Sequence, residues 1–126
     1  MAAGRYSFVV EQGSTKQFEV IYKDSTGTPV DLTGYTAKMQ IRPSAGSTTL
    51  YATLTSTLQP DGTGLNLHGL DGTKPYSSGS IGITISAGVT TNFDFNEASY
   101  DLELTTGTIV YRLLEGKVKL SKEVTK

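Results

Sequence analysis

The chain has 126 residues, 37% of them hydrophobic and 18% charged, with a formal net charge of −1, which suits one domain spanning residues 1–126 and is too short for two. Lacking cysteine, it can form no disulfide, thiolate metal site or cysteine nucleophile, and its near-neutral charge gives no long-range attraction for nucleic acid or an anionic membrane. Thr, Ser and Gly make up for the modest apolar and charged content, a composition of short strands joined by tight turns.

Alternation predicts a first strand over residues 6–11 and a second over 16–22, with Phe18, Val20 and Tyr22 on one face and a turn at Gly13 and Ser14 between them. Residues 23–29 form a turn cluster, and Pro29 has no N–H to give to a central ladder. Over residues 35–42 the pattern is cleanest: Tyr35, Ala37, Met39 and Ile41 face one way, Thr36, Lys38, Gln40 and Arg42 the other. Another turn at 43–47 leads to a weaker inner face of Leu50, Ala52 and Leu54 on an edge strand. Glycines at 62, 64, 69 and 72 leave room only for a short strand over 65–67.

Residues 79–86 restore the alternation through Ile81, Ile83 and Ile85, and Ser86 is placed to cap one helical turn within 86–93. A crossover follows, then a strand in which Tyr100, Leu102 and Leu104 share a face opposite Asp101 and Glu103. The last strand carries a parity conflict: Ile109, Tyr111 and Leu113 are odd, Val118 and Leu120 even, so one unbroken strand cannot bury both sets. A bulge near Glu115 and Gly116 would reset the register.

Seven to eight short strands, turn signals roughly every ten residues and one short helical turn in a crossover predict an all-β antiparallel sandwich, immunoglobulin-like, with a jelly roll or small barrel as the competing architectures. In the immunoglobulin arrangement Tyr100 falls near the start of the penultimate strand. There it is either a tyrosine corner, its hydroxyl turned to upstream backbone, or an ordinary half-buried aromatic. Leu102 takes the position of the usual second cysteine.

Chemistry-bearing constellations are sparse. The one histidine, His68, lies among glycines and reads as a solvent-exposed loop residue, with no second imidazole or thiolate to complete a zinc site and no Gly-x-Ser-x-Gly elbow to serve. Residues 13–16 and 69–74 miss the spacing of a phosphate-binding loop, and Asp61-Gly62 and Asp71-Gly72 read as turns, lacking the ligand pattern of a calcium loop. Among Asp94, Glu97, Asp101 and Glu103 nothing sets a catalytic pair, since an outward strand face simply solvates its acids. The expectation is a protein that is not an enzyme, with no catalytic, cofactor-binding or metal residues and no small-molecule substrate. The start shows no secretory signal, and no apolar run approaches the roughly 20 residues of a bilayer span.

Taken together, residues 31–42, 79–85, 100–104, 112–116 and 123–125 resemble small structural proteins of tailed bacteriophages, in order and spacing similar to the immunoglobulin-like N-terminal domain of phage baseplate upper proteins. The likeness spans roughly residues 5 to 125. In such proteins long fibre or receptor-binding regions follow the module, whereas this sequence stops at Lys126, so the resemblance implies a stand-alone virion component made in the host cell cytoplasm. Its expected partners are other virion structural proteins in multiple symmetric copies, with no nucleic acid and no membrane. It would serve as a baseplate or tail accessory, a neck or fibre adaptor, or a capsid decoration subunit.

Such a module works through exposed edges that add strands to a neighbour. The candidate docking strand is Lys117, Val118, Lys119, Leu120, Ser121, Lys122, Glu123 and Val124; the alternative is that these residues complete the domain's own sheet, with the lysines guarding an edge. A carbohydrate-binding sandwich aiding host adhesion is the second functional reading. Tryptophan is absent, and Tyr51 and Tyr76 are the candidate surface aromatics for it.

Overall fold

The computed structural model describes residues 4–124, in two sheets. In the larger, β1 (Gly4–Arg5) and β2 (Phe8–Glu11) both run parallel to β9 (Ile109–Ser121), which pairs antiparallel with β8 (Glu97–Thr106), then β4 (Thr36–Arg42) and β5 (Ala52–Thr55). The smaller sheet has the order β3 (Lys16–Ile21), β7 (Ser80–Ile85), β6 (Gly64–Asn66). The chain changes sheet between β2 and β3, β3 and β4, β5 and β6, and β7 and β8. Those crossings, with two open sheets rather than one closed, are the strand order of an immunoglobulin-like sandwich and not of a barrel.

The alternation seen in the sequence becomes the core. Ala37, Met39 and Ile41 of β4 stand opposite Leu104, Leu102 and Tyr100 of β8, all buried. Across from them the smaller sheet contributes Ile81, Ile83, Ile85 and Leu65, each fully enclosed. Residues 86–93 form the expected turn: in α1 (Ala87–Thr90) the Ser86 hydroxyl accepts from the Val89 N–H at 3.4 Å, and Phe93 and Phe95 then plug the crossover into β8. The expected inner face of the edge strand holds for Ala52 and Leu54 but fails at Leu50, which precedes β5 and is exposed, because β4 pairs with Ala52–Thr55 alone.

Parity is resolved inside β9. Leu102 pairs with Leu114 while Glu103 pairs with Arg112, so Leu113 is the extra residue. Upstream of it Tyr111 stands opposite buried Leu104; downstream Val118 stands opposite buried Ala98. The bulge therefore lies just before the expected position at Glu115 and Gly116. Gly116 is held by a different requirement: a methyl group there would run into the carbonyl oxygen of Tyr6, and its φ is not positive, so the demand is steric rather than conformational.

Over Gly116 the first strand is broken into β1 and β2. Tyr6 donates its N–H to the Glu115 carbonyl at 3.0 Å, Ser7 Oγ accepts from the Lys117 N–H at 3.1 Å, and the Tyr100 hydroxyl donates to the Tyr6 carbonyl at 2.5 Å. Tyr100 is thus not a tyrosine corner: its partner lies 94 residues earlier, on the strand that runs beside β9, rather than a few residues upstream. Burial raises its pKa beyond the ordinary phenol range, so the hydroxyl keeps the proton it donates.

Replacing Gly116 with alanine should cost about 2 kcal/mol, the usual range for overpacking against backbone that cannot retreat. Urea unfolding should show a lower midpoint with an unchanged slope; an unchanged midpoint would mean that the segment at Tyr6 is not seated on β9.

Candidate functional site

The β8–β9 hairpin turns through Gly107 and Thr108, with Thr106 opposite Ile109 and Gly107 at φ 58, the glycine-first arrangement of a two-residue hairpin turn. On the flank of β8 away from β9, β4 accompanies the arm as far as Thr105; on the outer flank of β9, β1 begins only opposite Leu114. Residues 109–113 therefore have β8 on one side and no described strand on the other. Ile109, Val110 and Tyr111 are 53%, 55% and 37% exposed, three successive apolar residues on an edge that no described strand covers. The next side chain, Arg112, lies 3.6 Å from Asp101. Sequence reasoning took Ile109 and Tyr111 for core positions and passed over Val110; the usable signal was an apolar run on both faces of a strand directly after a tight turn.

The sequence-predicted docking strand sits elsewhere in the ladder. Lys117, Val118, Lys119, Leu120 and Ser121 lie in the downstream half of β9, flanked by β8 as far as Lys119 and, from Val118 to Ser121, by β2. Val118 is fully buried. The lysines of β9 do not guard an edge, because the N-terminal strands flank it as far as Ser121. Lys122 reaches Asp94 at 3.5 Å, the Glu123 N–H donates to Gln12 Oε1 at 2.8 Å, and Val124 is 96% exposed.

Outward residues of the larger sheet fall into cross-strand rows: Lys38, Glu103 and Arg112; Gln40, Asp101, Glu115 and Arg5; Arg42, Ser99 and Lys117. They line an open depression of about 470 Å³. Unlike charges stand side by side in the first row and at Glu115 and Arg5, worth some tenths of a kcal/mol per pair, whereas Asp101 opposite Glu115 sets like charges together; the whole is a solvated polar face.

On the smaller sheet, the segment after β6 folds back over the outer face, close enough at Gly82 that a Cβ there would strike the Leu70 backbone. Glu19 clamps it, accepting from Lys74 Nζ at 2.6 Å and from the Leu70 N–H at 2.8 Å. His68 is not the solvent-exposed residue expected. It is half-buried, with Nδ1 at 2.9 Å from the Lys74 carbonyl and its ring 4.3 Å from that of Tyr76, because the clamp draws the loop onto the sheet. Tyr76, on a 3₁₀ turn at Tyr76–Ser78, is 37% exposed with His68 packed against it. Tyr51 is half-buried and stacked on Phe95, ring centroids 4.6 Å apart.

Asp61 and Asp71 act in turns, each accepting from the backbone two residues on, Thr63 and Thr73. Among the described residues no three His, Cys, Asp or Glu side chains converge, and no helix is long and apolar enough to cross a membrane. No protein-family model matches the chain, and no curated protein matches its sequence.

The hydrogen bond from Lys74, followed by that from the Leu70 amide, holds the Glu19 carboxyl below its ordinary pKa. A folded-state pKa below the unfolded one stabilises above the unfolded value and is lost as pH falls through the folded value. Acidification through the carboxylate range should therefore loosen the 67–74 loop. In Glu19→Gln the Leu70 amide should exchange faster at neutral pH, and that part of the acid sensitivity should vanish. An identical pH profile in variant and parent would remove Glu19 as the clamp.

Proposed function

We propose that this chain is a non-enzymatic structural protein of a tailed-bacteriophage virion, a baseplate or tail accessory, neck or fibre adaptor, or capsid decoration subunit, acting through contacts with other virion proteins. The observation that carries the reading is the exposed apolar stretch of the β8–β9 arm at Ile109, Val110 and Tyr111, which has no described strand on its outer flank. Exposed, unpaired, β-prone edges invite another strand, and proteins that must stay apart blunt them with lysine, proline or shortness. Among the other outer strands, β2 and β5 have four residues each and β6 three, while the six-residue β3 begins with Lys16. The arm is not blunted in this way.

Strand addition supplies directional backbone hydrogen bonds, and the alternating side chains on each face supply fit. A single added strand is weak. Copies arranged around a particle bind many such sites at once, and linked weak contacts gain through effective concentration what each lacks alone. The resemblance of the strand sequences to phage structural proteins favours the same reading; the sandwich itself assigns no role.

Immunogold electron microscopy of phage particles from the natural source should label a tail, neck or capsid position; unlabelled particles with the epitope accessible would overturn the virion assignment. Val110→Lys should leave stability within about 0.5 kcal/mol, as expected of an exposed position, while lowering incorporation into particles about tenfold. Normal incorporation of a folded Val110→Lys chain would clear the arm of any docking role.

A further inference from the structure

We infer that the depression between the start of β5, the turn at Gln59 to Gly62 and α1 is a binding site for an uncharged saccharide. It has a volume of about 450 Å³, within the range of small-ligand pockets, and its lining divides into two halves. Tyr51 and Val89 form the apolar half; Thr53, Gln59, Asp61 and Thr63 form the polar one. A pyranose ring has the same division, a C–H face beside a rim of hydroxyls.

Both halves are held in place before any ligand arrives. Tyr51 is backed by Phe95, which is buried, with the two rings 18° from parallel. The Gln59 N–H donates to the Thr63 carbonyl and the Gly62 N–H to the Gln59 carbonyl, both at 2.9 Å, closing the turn. Asp61 is pinned through both oxygens, Oδ1 accepting from the Thr63 N–H at 2.9 Å and Oδ2 from the Ser86 hydroxyl at 2.7 Å. These bonds hold its carboxyl below the ordinary pKa and leave each oxygen a further lone pair for a ligand hydroxyl. Fixed groups of this kind cost a ligand little ordering on binding.

The lining also decides against other ligand classes. It contains no lysine or arginine, so an anion such as a phosphate would meet Asp61 with nothing to offset it. A wholly apolar ligand would cover Gln59 and Asp61 without giving them partners, which is expensive. A neutral ring with several hydroxyls satisfies both halves.

The test is a titration of the intact ¹⁵N-labelled chain with the methyl glycosides of glucose, galactose, mannose, rhamnose and N-acetylglucosamine, followed by amide shifts. At least one should give saturable shifts at Thr53, Gln59, Gly62, Thr63 and Val89 with a millimolar Kd. Gln59→Ala, a change in an exposed turn whose backbone bonds remain, should weaken that binding about tenfold with the rest of the spectrum unchanged. Absence of saturable shifts with all five glycosides overturns the site, as do shifts mapping elsewhere or a Gln59→Ala chain that binds as tightly as the parent. The virion reading rests on the β8–β9 arm, so either can fail without the other.

Discussion

The sandwich is closed where the backbone at Tyr6 passes over Gly116. There a chain segment from the start of the sequence is joined to β9 by two bonds of its own, from the Tyr6 N–H and to Ser7 Oγ, and to β8 by the Tyr100 hydroxyl. Only a residue without a side chain lets the strands approach this closely. The rings around this point extend the tie to the second sheet: Phe8 lies 4.9 Å from Phe18 of β3 and 5.0 Å from Tyr100, and Tyr6 lies 5.4 Å from Phe18. Aromatic pairs contribute about 0.5–1.5 kcal/mol each beyond their burial. In a chain with no cysteine, this cluster joins the two sheets without a disulfide, while Leu102 is fully buried in β8.

The same tie divides β9 into two unlike halves. Downstream of Leu114 the strand has neighbours on both sides and contributes Val118 to the core. Upstream β8 is its one strand neighbour among the described residues, and the bulge at Leu113 marks the change. Leu113, at the bulge, still packs against the core, whereas Ile109, Val110 and Tyr111 are exposed, the tension that edge strands generally carry.

Much of this was legible in the sequence because local patterns dictated it. Residues 35–42 alternate because one face of β4 is buried, residues 81–85 because only their isoleucine face meets the apolar core while Gly82 makes room for the Leu70 backbone, and Ser86 before a short turn is a local capping signal. The parity conflict in β9 was visible too, but the bulge was assigned to Gly116 because glycine is the usual residue for one. The glycine answers to Tyr6, more than a hundred residues away, and no local pattern reports that. Parallel pairing of β1 and β2 with β9 was hidden for the same reason, and with it the partner of Tyr100 and the flanking of Val118 to Ser121 by β2. His68 was misjudged because the clamp that draws its loop inward comes from Glu19, on another strand. Of the surface aromatics, Tyr51 proved to line a depression, a fact set by β5, the 59–62 turn and α1 together.

Residue-resolved amide hydrogen exchange on the free protein tests the division of β9 most directly. The account predicts that amides from Val118 to Ser121 exchange only on global unfolding, whereas those in residues 109–112 that point away from β8 exchange as freely as loop amides. Uniform protection along 109–112 together with rapid exchange at 118–121 would place the open edge at the C-terminal end instead and contradict the account.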